Sequence, residues 1–171
     1  VKKLVFGADS EPVKSGRIAT VHAIGGTGGL KIGADFLKKL DPAAKVLISD
    51  PSWENHRALF TNAGFVVESY RYYDAARRGV NFDGMLADLS AATPGTIVLL
   101  HACCHNPTGY DITPAQWDQV IAVVKAKQLV PFLDMAYQGF GNGIAEDGAV
   151  IGKFVAAGVD FFVSTSFSKS F

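Results

Sequence analysis

Residues 96–136 read TIVLLHACCHNPTGYDITPAQWDQVIAVVKAKQLVPFLDMA, and they contain a strand, a turn, a helix and a second strand in that order. TIVLLHA (96–102) is β-branched and almost wholly apolar, which suits a strand covered on both faces. The helix follows at 113–129. Thr113 is an N-cap candidate and Pro114 takes the first helical position. Trp117, Val120, Ile121 and Val124 then recur at the spacing that lines one helical face. LVPFLDMA (129–136) is the second strand. Pro131 argues against a central strand, although proline is tolerated near a strand's first residues. A strand, a crossover helix and another strand make a parallel pair with a right-handed connection.

Outward from this unit the same alternation continues. KVLISD (45–50), GFVVESY (64–70) and VDFFVSTS (159–166) read as strands bounded by Gly, Pro, Asp or Ser. The run FFV, like TIVLL, predicts burial on both faces. SWENHRALFTNAG predicts a helix capped by Ser52 and stopped at Gly64, and GAVIGKFVAAG (148–158) predicts another. The fold class is therefore α/β, a mostly parallel sheet flanked by helices. Ligands of such sheets sit beyond the carboxyl ends of the strands, so the polar residues just after each strand are the candidates.

The chain has 171 residues, 49% of them apolar, which suits one domain with a real core and excludes a disordered chain. Sixteen basic residues balance sixteen acidic ones, so no electrostatic footprint for nucleic acid is expected. No apolar stretch is long enough to cross a bilayer, so no membrane partner is expected. No signal peptide opens the chain, and the cytosol is the expected compartment. VKKLVF at the start looks like the inside of a helix without a start signal, and the chain reads as a piece of a longer protein. Cys103 and Cys104 are adjacent, where a mutual disulfide is strained, and they do not form CxxC. HACCH (101–105) lacks the second Cys or His cluster of a structural zinc site, so no metal is expected and the thiols read as buried at a strand end.

Four stretches could carry chemistry. GGTGGL (25–30) precedes a helical pattern; it is either a flexible turn or an anion site of free backbone N–H groups, with the Thr27 hydroxyl as a further donor. It is neither Walker A nor GxGxxG after a clear strand. HNPTGY follows a strand, and Asn106 is either part of a plain turn or an amide aimed into the ligand crevice. Asp134 closes an apolar strand and should be partly buried with a partner; it is a helix cap or loop acid, or it pairs with a cationic ligand group. Tyr137 follows three residues later. Lys169 lies just beyond VDFFVSTS; it is a surface lysine, or a desolvated nucleophilic amine. Together these make the set that pyridoxal phosphate requires: an amine for its aldehyde, an acid for its ring nitrogen and a cradle for its phosphate.

GGTGGLKIGADFL, SDPSWENH, HACCHNPTGYD, FLDMAYQGFG and SFSKSF, in this order across essentially the whole chain, resemble the aspartate and aromatic aminotransferases, pyridoxal-phosphate enzymes of fold type I. SDPSWENH and PFLDMAYQGFG are most similar to the bacterial aromatic (tyrosine) enzymes. The resemblance implies transamination between an aromatic or dicarboxylic amino acid and a 2-oxo acid. Lys169 would form the Schiff base and then move the substrate's α-proton. Asp134 would keep the pyridine nitrogen protonated, and His56 would support Asp134 from behind. Tyr137 and Asn106 would hydrogen-bond the phenolic oxygen, with Asn106 also near the substrate carboxylate. Trp53, by its sequence alone a core tryptophan, would stack on the ring beside the substrate. Gly26, Thr27 and Ser166 would bind the phosphate, with Ser168 as a further candidate. Gly29, alanine in many relatives, is expected to be a minor change. The family's phosphate-binding and substrate-binding arginines fall outside this stretch, as does a tyrosine from the partner subunit. Residues 1–171 are thus expected to be a partial cofactor-binding (large) domain without the small domain, inactive alone and part of a homodimer when whole. A fold-type-I lyase or decarboxylase, or a non-enzymatic nucleotide-binding module, are the alternatives.

Overall fold

The computed structural model describes residues 1–170; Phe171, the last residue of the SFSKSF motif, lies outside the described residues. Its elements in chain order are α1 (Lys2–Phe6), α2 (Glu11–Lys14), α3 (Gly25–Leu40), β1 (Lys45–Asp50), α4 (Glu54–Asn62), β2 (Val66–Arg71), β3 (Tyr73–Asp74), β4 (Gly79–Val80), α5 (Phe82–Ala91), β5 (Ile97–His101), α6 (Pro114–Ala126), β6 (Val130–Met135), α7 (Ile144–Ala156) and β7 (Phe162–Thr165). β1, β2, β5, β6 and β7 form one parallel sheet in the order β2-β1-β5-β6-β7, and β3 and β4 form a small antiparallel hairpin. The strand order turns at β1, because β2 lies on one side of it and β5 on the other. No helix among the described residues is long and apolar enough to cross a membrane.

The alternation along β5 shows how the sheet is held. Ile97 and Leu99 point into a core with Leu30, Ala34 and Leu37 of α3 and with Phe60, Phe65 and Phe132. Val98 and Leu100 point the other way, into a core with Leu89, Trp117, Val120, Val124, Val150, Ile151 and Phe154. A strand sandwiched between two helical layers has to be apolar at every position, which is why TIVLL carries no polar alternation. α6 starts as its sequence predicts. The Thr113 side chain accepts from the Gln116 N–H at 3.2 Å, and the Gln116 side chain accepts from the Thr113 N–H at 2.8 Å. Such a reciprocal cap stabilises a helix by about 1 kcal/mol.

Two expectations change. Ser52 does not cap α4; the cap position is Trp53, without a side-chain bond, and Ser52 turns inward instead. FFV is only half-buried, because β7 is the edge of the sheet among the described residues. Pro131 sits between β5 and β7 at the second residue of β6, the kind of position where proline is tolerated. At Gly29 a Cβ would stand 2.7 Å from the Ser164 hydroxyl oxygen, the movable end of a short side chain. Gly33, one turn on, is tighter still, with the Phe132 ring 2.5 Å from where its Cβ would be. The glycines let α3 lie flat on β6 and β7, and that approach sets the height of the helix's first turn.

Candidate active site

The carboxyl ends of β5, β6 and β7 and the start of α3 enclose a cleft of about 320 Å³, within the size range of small-ligand sites. Trp53, Asn106, Asp134, Tyr137, Ser166 and Lys169 line it together with Gly26 and Thr27. The sequence motifs, spread over more than a hundred positions, therefore converge on one cavity. His56 lies beneath it.

At one end, α3 begins at Gly25 with no side-chain cap, and the first backbone bond of the helix runs from the Gly28 N–H to the Ile24 carbonyl. The N–H groups of Gly25, Gly26 and Thr27 precede that bond, so this turn offers donors and the positive end of the helix dipole. A Cβ on Gly26 would approach Ser166 Cβ to 3.4 Å, and one on Gly25 would approach the Ser168 hydroxyl to 3.7 Å. The Ser166 hydroxyl is fixed by donating to Ser168 Oγ at 3.1 Å and accepting from the Ser168 N–H at 3.2 Å. This is a built recess of small residues and N–H and O–H donors, the chemistry an oxyanion needs.

The floor is an acid held from below. Asp134 is the fifth residue of β6, with its side chain 11% exposed, and its Oδ2 accepts from His56 Nε2 at 2.8 Å; His56 is fully buried. Asp134 Oδ1 has no hydrogen-bond partner among the described residues. The line continues through Ser52 Oγ, 2.8 Å from His56 Nδ1 and 3.4 Å from His101 Nε2, to the Asn106 N–H, 3.4 Å from His101 Nδ1. A backbone N–H can only donate, so His101 Nδ1 accepts and its Nε2 carries the proton. That proton points to Ser52 Oγ, the Ser52 hydroxyl donates to His56 Nδ1, and His56 Nε2–H donates to the carboxylate. Every group runs donor to acceptor in one direction, from the Asn106 backbone to Asp134.

Two more rings support this line. His101 stacks on His105 with centroids 4.1 Å apart, and His105 stacks on Tyr72 at 3.9 Å. His105 bonds Ser49 Oγ at 2.9 Å and Thr108 Oγ1 at 2.8 Å. Burial, with the neighbouring His105 and His56, holds His101 well below the usual histidine range. Burial first, then His56, pushes His105 down to about 4. Both rings are therefore neutral near pH 7, as the tautomer assignment requires. The residues that sequence reasoning assigned no role in this site are Ser52, His101, His105 and the lining groups Leu30 and Cys103. The Ser52–His56 spacing of one helical turn, and two histidines flanking the end of an apolar strand, were the available signals.

Lys169 is exposed among the described residues, with its Nζ 4.5 Å from the centroid of the Tyr137 ring. It sits on the turn after β7, at the rim of the cleft, where the described residues put only that ring against the ammonium group. A cation over an aromatic face is held weakly, by about 0.5–1 kcal/mol at an exposed site.

Comparison with known proteins agrees with this fold. The family model of aminotransferase class I and II matches residues 1–171. An aspartate aminotransferase of Pseudomonas aeruginosa is 63% identical over 171 residues, and a tyrosine aminotransferase of Klebsiella pneumoniae is 53% identical over the same length; the chain spans 43% of each. A crystal structure of an aromatic-amino-acid aminotransferase from Burkholderia pseudomallei, covalently bound to pyridoxal phosphate, superposes with a TM-score of 0.98 at 64% identity, over 99% of this chain and 42% of that one. The chain thus spans less than half the length of the relatives it matches. With five ordered motifs, a parallel sheet of matching topology and a family match over its whole length, the chain belongs to aminotransferase class I and II.

Proposed function

We propose that residues 1–171 form most of the cofactor-binding domain of a pyridoxal-phosphate-dependent aminotransferase, which exchanges amino groups between an aromatic or dicarboxylic amino acid and a 2-oxo acid. The observation that carries this is the Asp134–His56 pair at the floor of a cleft that has an uncapped helix start at one end and a lysine at its rim. The donor set fits the cofactor: N–H and hydroxyl groups for a phosphate, a partly buried carboxylate for a ring nitrogen and an amine for an aldehyde. When bound, pyridoxal phosphate supplies an electrophilic carbonyl carbon and a cationic ring that draws electrons from the amino acid's α-carbon.

The chain's own residues do the rest. Gly26, Thr27 and Ser166 bind the phosphate and fix the cofactor's position. Asp134 keeps a proton on the ring nitrogen, because an ionised acid 11% exposed favours a cation beside it. His56 holds that carboxylate in one orientation through its 2.8 Å bond. Trp53 covers the ring face. Tyr137 and Asn106 donate to the phenolic oxygen, and Asn106 also meets the substrate carboxylate. Lys169 would be the amine that holds the cofactor's aldehyde, and once free its Nζ would move the substrate's α-proton.

By resemblance the whole protein is a cytosolic homodimer, with the small domain and the remaining substrate-binding groups supplied outside these residues. The test is spectroscopic and kinetic. In the full-length protein the cofactor should give a visible absorption band that borohydride reduction removes, with the label on Lys169. Lys169→Ala should lose at least about a thousandfold in turnover, the scale of a lost proton-transfer and nucleophilic group. Substantial transamination by that variant, or a reduced label on another lysine, would overturn the assignment.

A further inference from the structure

We propose that Cys103, Cys104 and Asp147 form a site for one soft divalent cation of the zinc and cadmium class. The two sulfurs and a carboxylate oxygen all lie within 4.8 Å of one another, and both thiols are free. Cys103 also lines the cleft, but the inference does not rest on the proposed Lys169 chemistry.

Neighbouring residues on a strand point to opposite faces, so adjacent cysteines do not ordinarily share a ligand. Here β5 has ended at His101, and Cys104 has a φ of 49°. That left-handed turn breaks the alternation and brings the second sulfur round to the first. The histidines of the same string face elsewhere: His101 and His105 stack on each other and spend their ring nitrogens on the Ser52, Asn106, Ser49 and Thr108 groups. The third ligand comes from a distant segment, the first turn of α7, which no local spacing in HACCH could reveal.

Asp147 is 6% exposed and has no ion pair among the described residues. Its Oδ2 accepts from the N–H groups of Gly139 and Gly141, and its Oδ1 accepts from the Asn142 N–H. Three donors hold the carboxylate rigid, and Oδ1, with one bond, keeps a lone pair.

Two thiolates and one carboxylate suit zinc or cadmium better than magnesium or calcium, which prefer all-oxygen sets. Bonds of about 2.3 Å to sulfur and about 2.1 Å to oxygen place tetrahedral ligand atoms about 3.6 Å apart. To close on an ion, the half-buried Cys104 thiol would give up its 3.9 Å hydrogen bond to the Tyr137 carbonyl. Binding exchanges two thiol protons, released to solvent, for the cation, and the fourth position is left to water. A bound ion would tie the turn that carries Asn106 to the loop between Tyr137 and α7.

The experiment titrates the reduced, air-excluded full-length protein with cadmium ion alone and follows the ultraviolet thiolate-to-cadmium charge-transfer absorption. Readings are taken as parent minus variant, so that cysteines elsewhere cancel. One equivalent should saturate the difference signal. Cys103→Ser and Cys104→Ser should each lower the affinity at least about a hundredfold and remove most of the band. Asp147→Asn should retain the band and lose about tenfold in affinity. If Asp147→Asn does not fold, the two cysteine variants decide alone, with circular dichroism checking that each is native. A difference signal of zero for Cys104→Ser, or cadmium held without the charge-transfer band, would overturn the proposal.

Discussion

The carboxyl ends of β5 and β6 and the carboxyl end of β7 serve the same cleft, but they are built differently. Asp134, His56, Ser52, His101 and Asn106 are joined in one directed line of hydrogen bonds, backed by a stack of rings reaching Tyr72. Lys169, after β7, is exposed and touches one aromatic face. One side is held by several hydrogen bonds, the other, among the described residues, by a single ring contact. That division suits the proposed chemistry: the acid must not move while charge develops next to it, and the amine must let go of one partner and take another.

Exchanging the two kinds of residue should separate activity from stability. Lys169→Ala in the full-length protein should show the largest effect of all, the thousandfold loss of turnover already stated, yet shift the thermal midpoint of the cofactor-free protein by no more than surface changes do, about 0.5 kcal/mol. His56→Ala should do the reverse in emphasis. It deletes a fully buried ring and leaves Asp134 Oδ2 and Ser52 without their partner, at a cost of about 3 kcal/mol in denaturant unfolding. Equal destabilisation by both variants would erase the contrast between the two sides.

Acid should act on the rigid side next. His105 titrates at about 4 when folded, below the usual histidine range, so below that range the unfolded chain binds a proton the native chain refuses. Stability is complete above about pH 6.5 and falls as the pH drops from there towards 4, by at most about 3 kcal/mol from this ring. His101 is lowered too and works in the same direction. Urea midpoints between pH 7 and 4.5 check this, and His105→Gln should flatten the slope. A slope unchanged by that variant would assign the acid sensitivity elsewhere.

The smallest effect belongs to the packing under α3. Gly33→Ala gains about 1 kcal/mol of helix propensity but drives a methyl into the Phe132 ring, which is 2% exposed and packed against Phe60 and Phe162. A net loss of about 1–2 kcal/mol in thermal unfolding is expected. Gly29→Ala meets only the end of a serine side chain and should cost less.

Much of the fold was legible. The period of the apolar residues located the five sheet strands, the helical pattern of α3, and α4, α6 and α7, because strands covered on both faces and amphipathic helices leave distinct patterns. α5 was not located, since FDGMLADLSA has a glycine near its start and a broad apolar face that reads as no clear period. The boundaries of α7 and β7 shifted by several residues, and Ser52 changed role altogether. A serine before a helix reads as a cap by local rule, but two histidines lay within reach of its hydroxyl, and that depends on how the turn before α4 meets the end of β5.

The chain's order of residues was enough to establish an α/β sheet, the residue types of a cofactor cradle and their place at strand ends, because periodicity and turn chemistry act over a few neighbours. The fold alone settled which way the hydrogen bonds run beneath Asp134, how exposed Lys169 is, and that Asp147 faces two cysteines. Those are distances between segments far apart in the chain, and they exist only once the helices have packed on the sheet.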